Sequence, residues 1–279
     1  MNRSLVEFEK RMDSAEDKEV FIGFCKGAKH VLDLGAGTGK MAREIAEKFG
    51  CEVSAVDKSY EKEAYTENNV TYYGMSIEDF LRAERSDKKY DCIILSAILH
   101  ELGEQQLEAF LYLPAIMSQN CRILIREPFF DYSLGPVTRD DEDAKKFIEL
   151  VSSNVNFFRV KEYQHASKLS ETTFPHLGET FPHFGETSSL DATTFWANLA
   201  FVLSYGEDSW EREKHEYRYA RSLDWCKEFF NRFRSYTGFQ VYPVLDKTYR
   251  QHFINAGIPG EAFDLLKYTG MHVIIDYSK

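Results

Sequence analysis

The sequence lacks long apolar runs, and its cysteines are few and scattered. It has five cysteines in 279 residues and no Cys-x-x-Cys pair. Such spacing is typical of reduced thiols rather than of a disulfide framework or a zinc site, so we expect a cytoplasmic protein without a bound metal. No stretch reaches the length of a membrane span. The charged N-terminal residues include no apolar signal-peptide core, and we expect no secretory signal.

A basic excess is also absent. The formal net charge is −11 at pH 7, and acidic residues outnumber basic ones in both halves of the chain. Proteins that hold a nucleic-acid backbone mainly through charge are basic, so bulk charge does not indicate that class. Hydrophobic residues make up 43% and charged residues 28%, which is typical of a soluble globular protein. A local basic patch is compatible with this net charge.

The most informative stretch runs from Val31 to Gly39 and reads VLDLGAGTG. Its first four residues predict a short buried strand. Its three glycines predict a tight turn in which side chains do not block a ligand. Residues 40–49 have the apolar spacing of a helix, whose first N–H groups would face that ligand. The stretch therefore predicts a nucleotide-binding strand, turn and helix.

The glycine spacing separates two classes of such units. A dinucleotide fingerprint reads G-x-G-x-x-G, whereas this chain has G-x-G-x-G preceded by Asp33. The pattern resembles the first motif of the class I S-adenosylmethionine-dependent methyltransferases, and the resemblance extends over residues 31–128 and, by topology, 222–279. It implies S-adenosylmethionine as cofactor, and a Rossmann-type oxidoreductase is the alternative. The cofactor-binding residues implied by this motif are Asp33, Gly35, Ala36, Gly37 and Gly39.

Strands and helices alternate along the first half of the chain. Apolar runs predict strands at 31–34, 52–57, 70–73, 90–96 and 122–126. Helical spacing is found at 4–27, 40–49, 60–67, 77–85 and 104–118. A helix at 222–233 and strands at 238–242 and 271–277 follow later. We therefore expect an α/β fold, with a Rossmann-like, mostly parallel sheet of seven strands and helices on both faces.

The alternation stops between the fifth and sixth strands. Residues 129–221 combine a charged helix, a polar loop and aromatic helices, and predict a largely helical insertion. We expect one methyltransferase domain, 1–279, in which this insertion is a substrate lid. A tandem repeat at 174–187 contains proline and glycine and predicts a loop at the edge of the lid. A smaller insertion is expected at about 246–268.

Polar residues at strand ends are the other expected cofactor contacts. Asp57 ends the second strand, where a carboxylate can accept from both ribose hydroxyls, and Lys58 follows it. The resemblance implies an adenine site after the third strand. There Ser76 stands in place of the usual acid and can accept from the adenine amino group, with Ile77 against the ring. Ser96 ends the fourth strand and should border the methyl donor.

The segment after Ser96 resembles the fourth motif of small-molecule methyltransferases and lacks the signatures of DNA methylation. His100 is a candidate general base near neutral pH, and Glu101 is a second catalytic candidate. A histidine that packs or caps locally is the alternative. Glu127 ends the fifth strand and is a candidate substrate contact, with an ion pair at the strand edge as the alternative.

The insertion adds aromatic candidates for substrate binding, Trp196 and Tyr205. Its histidines lack the spacing of metal ligands. The resemblance implies methyl transfer to an oxygen or nitrogen nucleophile, and the acidic charge favours a small molecule. An RNA or nucleotide acceptor would require one basic face in the insertion, and a non-catalytic S-adenosylmethionine-binding module is the third hypothesis. The basic residues concerned are Arg212, Lys214, Arg218 and Arg221.

Overall fold

The computed structural model describes residues 16–61, 64–83, 88–128, 137–155 and 223–277, with residues 159, 162, 196, 197, 199, 200 and 203. The chain divides into two compact units. The first comprises Met1–Glu127, Cys226–Tyr242 and His272–Lys279, and the second comprises Pro128–Trp225 and Pro243–Met271. The second unit thus draws on both expected insertions. The assignment of a single domain with an inserted lid stays a prediction.

Within the described residues, one sheet of eight strands organises the fold. The strands are β1 (His30–Leu34), β2 (Glu52–Val56), β3 (Ala64–Glu67), β4 (Val70–Tyr73), β5 (Tyr90–Ser96), β6 (Met117–Pro128), β7 (Gly238–Val244) and β8 (Gly270–Asp276). Their order is β3-β4-β2-β1-β5-β6-β8-β7. Strands β4, β2, β1, β5 and β6 pair in parallel, and β3 is antiparallel to β4. The predicted α/β, Rossmann-like, mostly parallel sheet is confirmed, with one strand more than predicted.

Helices lie between most of these strands. They are α1 (Glu16–Gly23), α2 (Lys40–Phe49), α3 (Ile77–Ala83), α4 (Glu104–Leu107), α5 (Leu113–Ile116), α6 (Asp141–Ser152), α7 (Leu223–Asn231), α8 (Thr248–Asn255) and α9 (Gly260–Asp264). The predicted helix at 104–118 is instead broken into α4, a 3-10 turn at Glu108–Tyr112 and α5, which has a proline in its first turn. Among the helices described, none combines the length and the apolar composition that a membrane span requires.

The core of the first unit lies between β1, β2 and α2. Val31 and Val53 are buried on the sheet, and Ala42, Ile45 and Ala46 of α2 are buried in the same cluster. Continuous apolar strands are typical of a parallel sheet that is covered on both faces. Burial of this cluster fixes the start of α2, and hence the glycine turn, at the carboxyl end of β1.

Strand β3 occupies the second half of the segment for which the spacing predicted a helix at 60–67. Asn68 and Asn69, with φ of 48° and 63°, connect it to β4. Two consecutive residues with positive φ make the type I′ turn of a tight hairpin, and asparagine tolerates that conformation. The hydroxyls of Thr66 and Thr71 hydrogen-bond across the pair at 3.1 Å. The helix prediction is therefore wrong here, because the turn at Asn68 and Asn69 pairs this segment with β4 as a strand.

The second unit contains α6, α8 and α9 in its described part. The side chain of Asp140 accepts a hydrogen bond from the Asp143 amide at 2.8 Å and so caps α6. Phe147 and Ile148 are buried on the apolar face of that helix. The charged helix expected within 129–221 is therefore present.

Candidate active site

The glycine turn after β1 adopts the backbone that its composition predicts. Gly35, Gly37 and Gly39 have φ of 77°, 58° and 74°, which is the left-handed region that disfavours residues with a Cβ. The amides of Gly35 and Ala36 both donate to the Val56 carbonyl, at 2.9 and 3.0 Å. These hydrogen bonds hold the turn against the carboxyl end of β2, and Asp57 is the next residue after that strand.

Two of these glycines also allow protein side chains to approach closely. A Cβ on Gly35 would lie 2.9 Å from Cγ1 of Ile98, and a Cβ on Gly39 would lie 2.5 Å from Cε1 of Tyr72. The Tyr60 hydroxyl oxygen is 3.0 Å from the second position. The sequence predicted glycines that make room for a ligand, and the structure shows that they make room for neighbouring side chains as well.

Asp57 joins the second strand to the glycine turn. Its Oδ2 accepts from the Gly37 amide at 2.9 Å, and its Oδ1 accepts from the Ser59 amide at 2.8 Å. A carboxylate has about four acceptor positions, so capacity remains for ligand hydroxyls. Lys58 is exposed beside it. Binding of ribose by Asp57 stays a prediction, and the geometry is compatible with it.

Tyr60 is a polar residue of this site that was not predicted from the sequence. Its hydroxyl oxygen is buried and has no hydrogen-bond partner within the described part of the chain. Burial, and then the charges of Asp33 and Asp57, raise the pKa of this hydroxyl. Asp33 itself is fully buried in β1. Only the position of Tyr60 in the turn after Asp57 could have indicated it from sequence.

The residues predicted to bind adenine lie at the start of α3. The Ser76 hydroxyl donates to Oδ2 of Asp79 at 2.8 Å and accepts from the Asp79 amide at 3.1 Å. It therefore acts as a helix N-cap, which leaves at most one acceptor position for a ligand. Ile77 is buried and Ser96 is half-buried at the end of β5. The cofactor roles of all three stay predictions.

His100 and Glu127 form a buried hydrogen-bonded pair. Nδ1 of His100 lies 2.6 Å from Oε2 of Glu127, and each residue is only 2% exposed. The other carboxylate oxygen, Oε1, accepts from the amides of Ile98 at 3.0 Å and Leu99 at 2.6 Å. One carboxylate at the end of β6 thus holds both the imidazole and the turn that carries it. From the sequence, the two residues were separate candidates.

The segment between β5 and His100 has strained backbone. Ala97 has φ of 53°, a conformation that residues other than glycine seldom adopt. Its amide donates to the Arg126 carbonyl at 2.7 Å. The next residue, Ile98, contacts the position above Gly35, so this segment lies between the glycine turn and the His100–Glu127 pair. Glu101, the second catalytic candidate, is exposed at the end of the 3-10 turn.

The remaining candidates are only partly described. Trp196 is buried in the second unit. Tyr205, the repeat at 174–187 and the basic residues from Arg212 to Arg221 lie outside the described residues. Over the described ranges there is no cluster of three or more side chains able to ligate a metal.

Comparison with known families agrees with this architecture. Residues 31–113, which run from the glycine motif to α5, match the sequence model of a family described as "Methyltransferase domain". This match agrees with the resemblance to class I S-adenosylmethionine-dependent methyltransferases that the glycine motif carries. No curated protein sequence matches the chain significantly.

Solved methyltransferase structures align with the chain at low sequence identity. A SAM-dependent methyltransferase from Archaeoglobus fulgidus aligns with a TM-score of 0.52 and 13% identity, over 95% of this chain and 94% of that one. The human N-acetylserotonin methyltransferase, in complex with SAM, aligns at 0.49 and 10% identity, over 99% of this chain and 56% of that one. The plantazolicin methyltransferase BpumL, in complex with SAH, aligns with a TM-score of 0.44 and 12% identity, over 99% of this chain and 85% of that one.

Proposed function

We propose that this methyltransferase transfers the methyl group of S-adenosylmethionine to an oxygen or nitrogen nucleophile of a small molecule, with His100 as general base. The proposal rests above all on the buried pair of His100 and Glu127. Glu127 lies at the carboxyl end of β6 and His100 follows the carboxyl end of β5, and ligands of open α/β sheets bind beyond the carboxyl ends of the strands.

The residues around the glycine turn suit the methyl donor. When bound, S-adenosylmethionine supplies an electrophilic methyl group on a sulfonium centre. The left-handed turn at Gly35, Gly37 and Gly39 and the acceptor capacity of Asp57 match a ligand that has ribose hydroxyls and approaches the backbone closely. Ser96 at the end of β5 would border the reacting end, while Ser76 and Ile77 would border the adenine.

Glu127 determines which nitrogen of His100 can take a proton. An ionised carboxylate only accepts hydrogen bonds, and Glu127 already accepts from two amides. The third partner, Nδ1 of His100, must therefore carry a proton. In the neutral imidazole Nε2 is then the basic nitrogen. A base is needed when the acceptor still holds a proton, which favours a hydroxyl or a protonated amine as the methyl acceptor.

Burial of the pair supports a small acceptor. The side chains of His100 and Glu127 are 3% and 1% exposed, so only a group that enters the protein interior can reach the imidazole. Exclusion of water there strengthens the hydrogen bonds that hold the base. The net charge of −11 also disfavours a polyanionic acceptor held by its backbone.

The acceptor class can be tested with isotopically labelled methyl donor. The protein is incubated with a metabolite pool and, separately, with an RNA pool, and label is counted in each. Label in the metabolite fraction is the expected result. Label in RNA alone would contradict the small-molecule assignment. Calorimetric binding of S-adenosylhomocysteine without labelled product in either pool would favour the non-catalytic binding module.

The role of His100 has its own test. His100→Ala should lower kcat by roughly 10²–10⁴ and leave the affinity for S-adenosylhomocysteine nearly unchanged, because the donor contacts lie at β1 and β2. His30→Ala is the matched control, since His30 begins β1 at the opposite end of that strand. A His100→Ala variant with full turnover would assign the pair a purely structural role.

A further inference from the structure

The Tyr60 hydroxyl lies at the glycine turn and has no hydrogen-bond partner among the described residues. The Tyr60 amide donates to the Asp57 carbonyl at 3.4 Å, which folds the chain back after β2. The ring packs edge-on against Tyr72, with centroids 5.3 Å apart and an interplanar angle of 86°. That packing directs the hydroxyl to Gly39. The hydroxyl oxygen is buried, and no described residue forms a hydrogen bond with it.

A buried hydroxyl without a partner destabilises the ligand-free protein. Native proteins rarely leave such groups unsatisfied unless water or a ligand completes them. The position of this hydroxyl indicates a ligand, because it lies beside the last glycine of the turn and close enough to Asp33 and Asp57 to be influenced by both charges.

The surrounding charges restrict the chemistry of that ligand group. Two carboxylates, those of Asp33 and Asp57, disfavour an anionic group such as the carboxylate of an amino acid. A partner that satisfies the hydrogen of the phenol needs a lone pair, which an ammonium group lacks. A neutral hydroxyl meets both conditions, since it can donate to a carboxylate and accept from Tyr60.

We infer that Tyr60 is a further cofactor-binding residue whose hydroxyl donates a hydrogen bond to a ribose hydroxyl of the methyl donor, next to Asp57. The inference rests on the proposed function, because it requires the donor to bind at this turn. Ribose would then be held by an acceptor, Asp57, and a donor, Tyr60. Such a pair recognises a hydroxyl through both its hydrogen and its lone pair.

The test removes the hydroxyl and keeps the ring. Tyr60→Phe and the control Tyr65→Phe are compared with the unmodified protein. The Tyr65 ring also packs against Tyr72, with centroids 4.7 Å apart, and Tyr65 is more exposed than Tyr60. Calorimetry measures Kd for S-adenosylhomocysteine, and urea unfolding measures the stability of the ligand-free protein. Tyr60→Phe should weaken binding by roughly 3- to 10-fold without loss of stability, and Tyr65→Phe should bind normally.

Deoxy analogues identify the contact. Adenosine, 2′-deoxyadenosine and 3′-deoxyadenosine are titrated into the unmodified protein and Tyr60→Phe. The loss caused by Tyr60→Phe should disappear for the analogue that lacks the contacted hydroxyl. Equal affinity of the two proteins for S-adenosylhomocysteine, or a loss that persists with both deoxy analogues, would overturn the inference. If the unmodified protein binds no S-adenosylhomocysteine at all, the donor assignment fails instead, and the inference fails with it.

Discussion

Two carboxylates define the site at the scale of single residues. Asp57 holds the glycine turn through the Gly37 amide, and Glu127 holds His100 and the amides before it. Their positions at strand ends could be predicted from the sequence, since polar residues directly follow apolar runs. Their partners could not, because the bond between Glu127 and His100 depends on the register that places Ser96 beside Arg126.

Replacement of Glu127 by glutamine should reverse the tautomer of His100. The glutamine carbonyl can still accept from the amides of Ile98 and Leu99, but its amino group would then face Nδ1 and require a lone pair there. The proton of the imidazole would move to Nε2, and the base would be lost. We expect kcat to fall by roughly 10²–10⁴ with near-native stability, measured by steady-state kinetics and urea unfolding. Retained kcat would show that Glu127 does not set the tautomer.

Asp57→Ala should weaken donor binding while the chain stays folded. Hydrogen bonds to a charged acceptor contribute roughly 1.5–3 kcal/mol, so Kd for S-adenosylhomocysteine should rise about tenfold or more. Asp57→Asn keeps one acceptor oxygen for the Gly37 amide and should give an intermediate Kd. Calorimetry on both variants measures this, and an unchanged Kd for Asp57→Ala would place the ribose acid elsewhere.

At the scale of elements, strands were predicted better than helices. Runs such as Cys92–Leu95 are apolar and buried at every position, and burial on both sides of a parallel sheet requires that pattern. The hairpin of β3 was missed because its signal is the turn at Asn68 and Asn69 rather than a period in hydrophobicity. The helix predicted at 104–118 was overextended because its apolar periodicity continues across the proline of α5 into β6.

The glycine turn predicts how much stability an added Cβ removes at Gly39. Gly39→Ala should cost more than about 2 kcal/mol, because it adds both a left-handed alanine and a Cβ 2.5 Å from the buried ring of Tyr72. Gly50→Ala is the matched control, since Gly50 has φ of 66° and no atom within 4 Å of its Cβ position. It should lose only about 1–2 kcal/mol of conformational preference. Equal losses in urea unfolding would show that Tyr72 moves aside without cost.

For the molecule as a whole, buried thiols link the stability of the fold to alkaline pH. Burial, and then the charge of Asp91, raises the pKa of Cys121 to about 12. An unfolded chain loses this proton near pH ~8.5. The stabilisation from the neutral thiol is therefore fully present below that pH and decreases as the pH rises towards 12. Cys92 contributes in the same direction, because the contact with Cys25 and burial raise its pKa.

Cys121→Ala should therefore flatten the dependence of stability on pH. Each such thiol contributes a slope of up to about 1.4 kcal/mol per pH unit. Urea unfolding at pH values between about 7.5 and 10.5 should show a steeper decline for the unmodified protein than for Cys121→Ala, whatever the offset between them at neutral pH. Parallel declines would show that the Cys121 thiol reaches solvent before the protein unfolds.

The small hairpin at the end of the sheet has a consequence for the behaviour of the protein in concentrated solution. An open sheet edge is a template on which a second chain can add a strand and start aggregation. Strand β3 ends the sheet order on one side, is only four residues long, and exposes all four side chains. It covers β4, whose Val70 and Tyr72 are buried. Strand β3, which hydrophobic periodicity does not predict, thus limits the addition of a second chain at this edge.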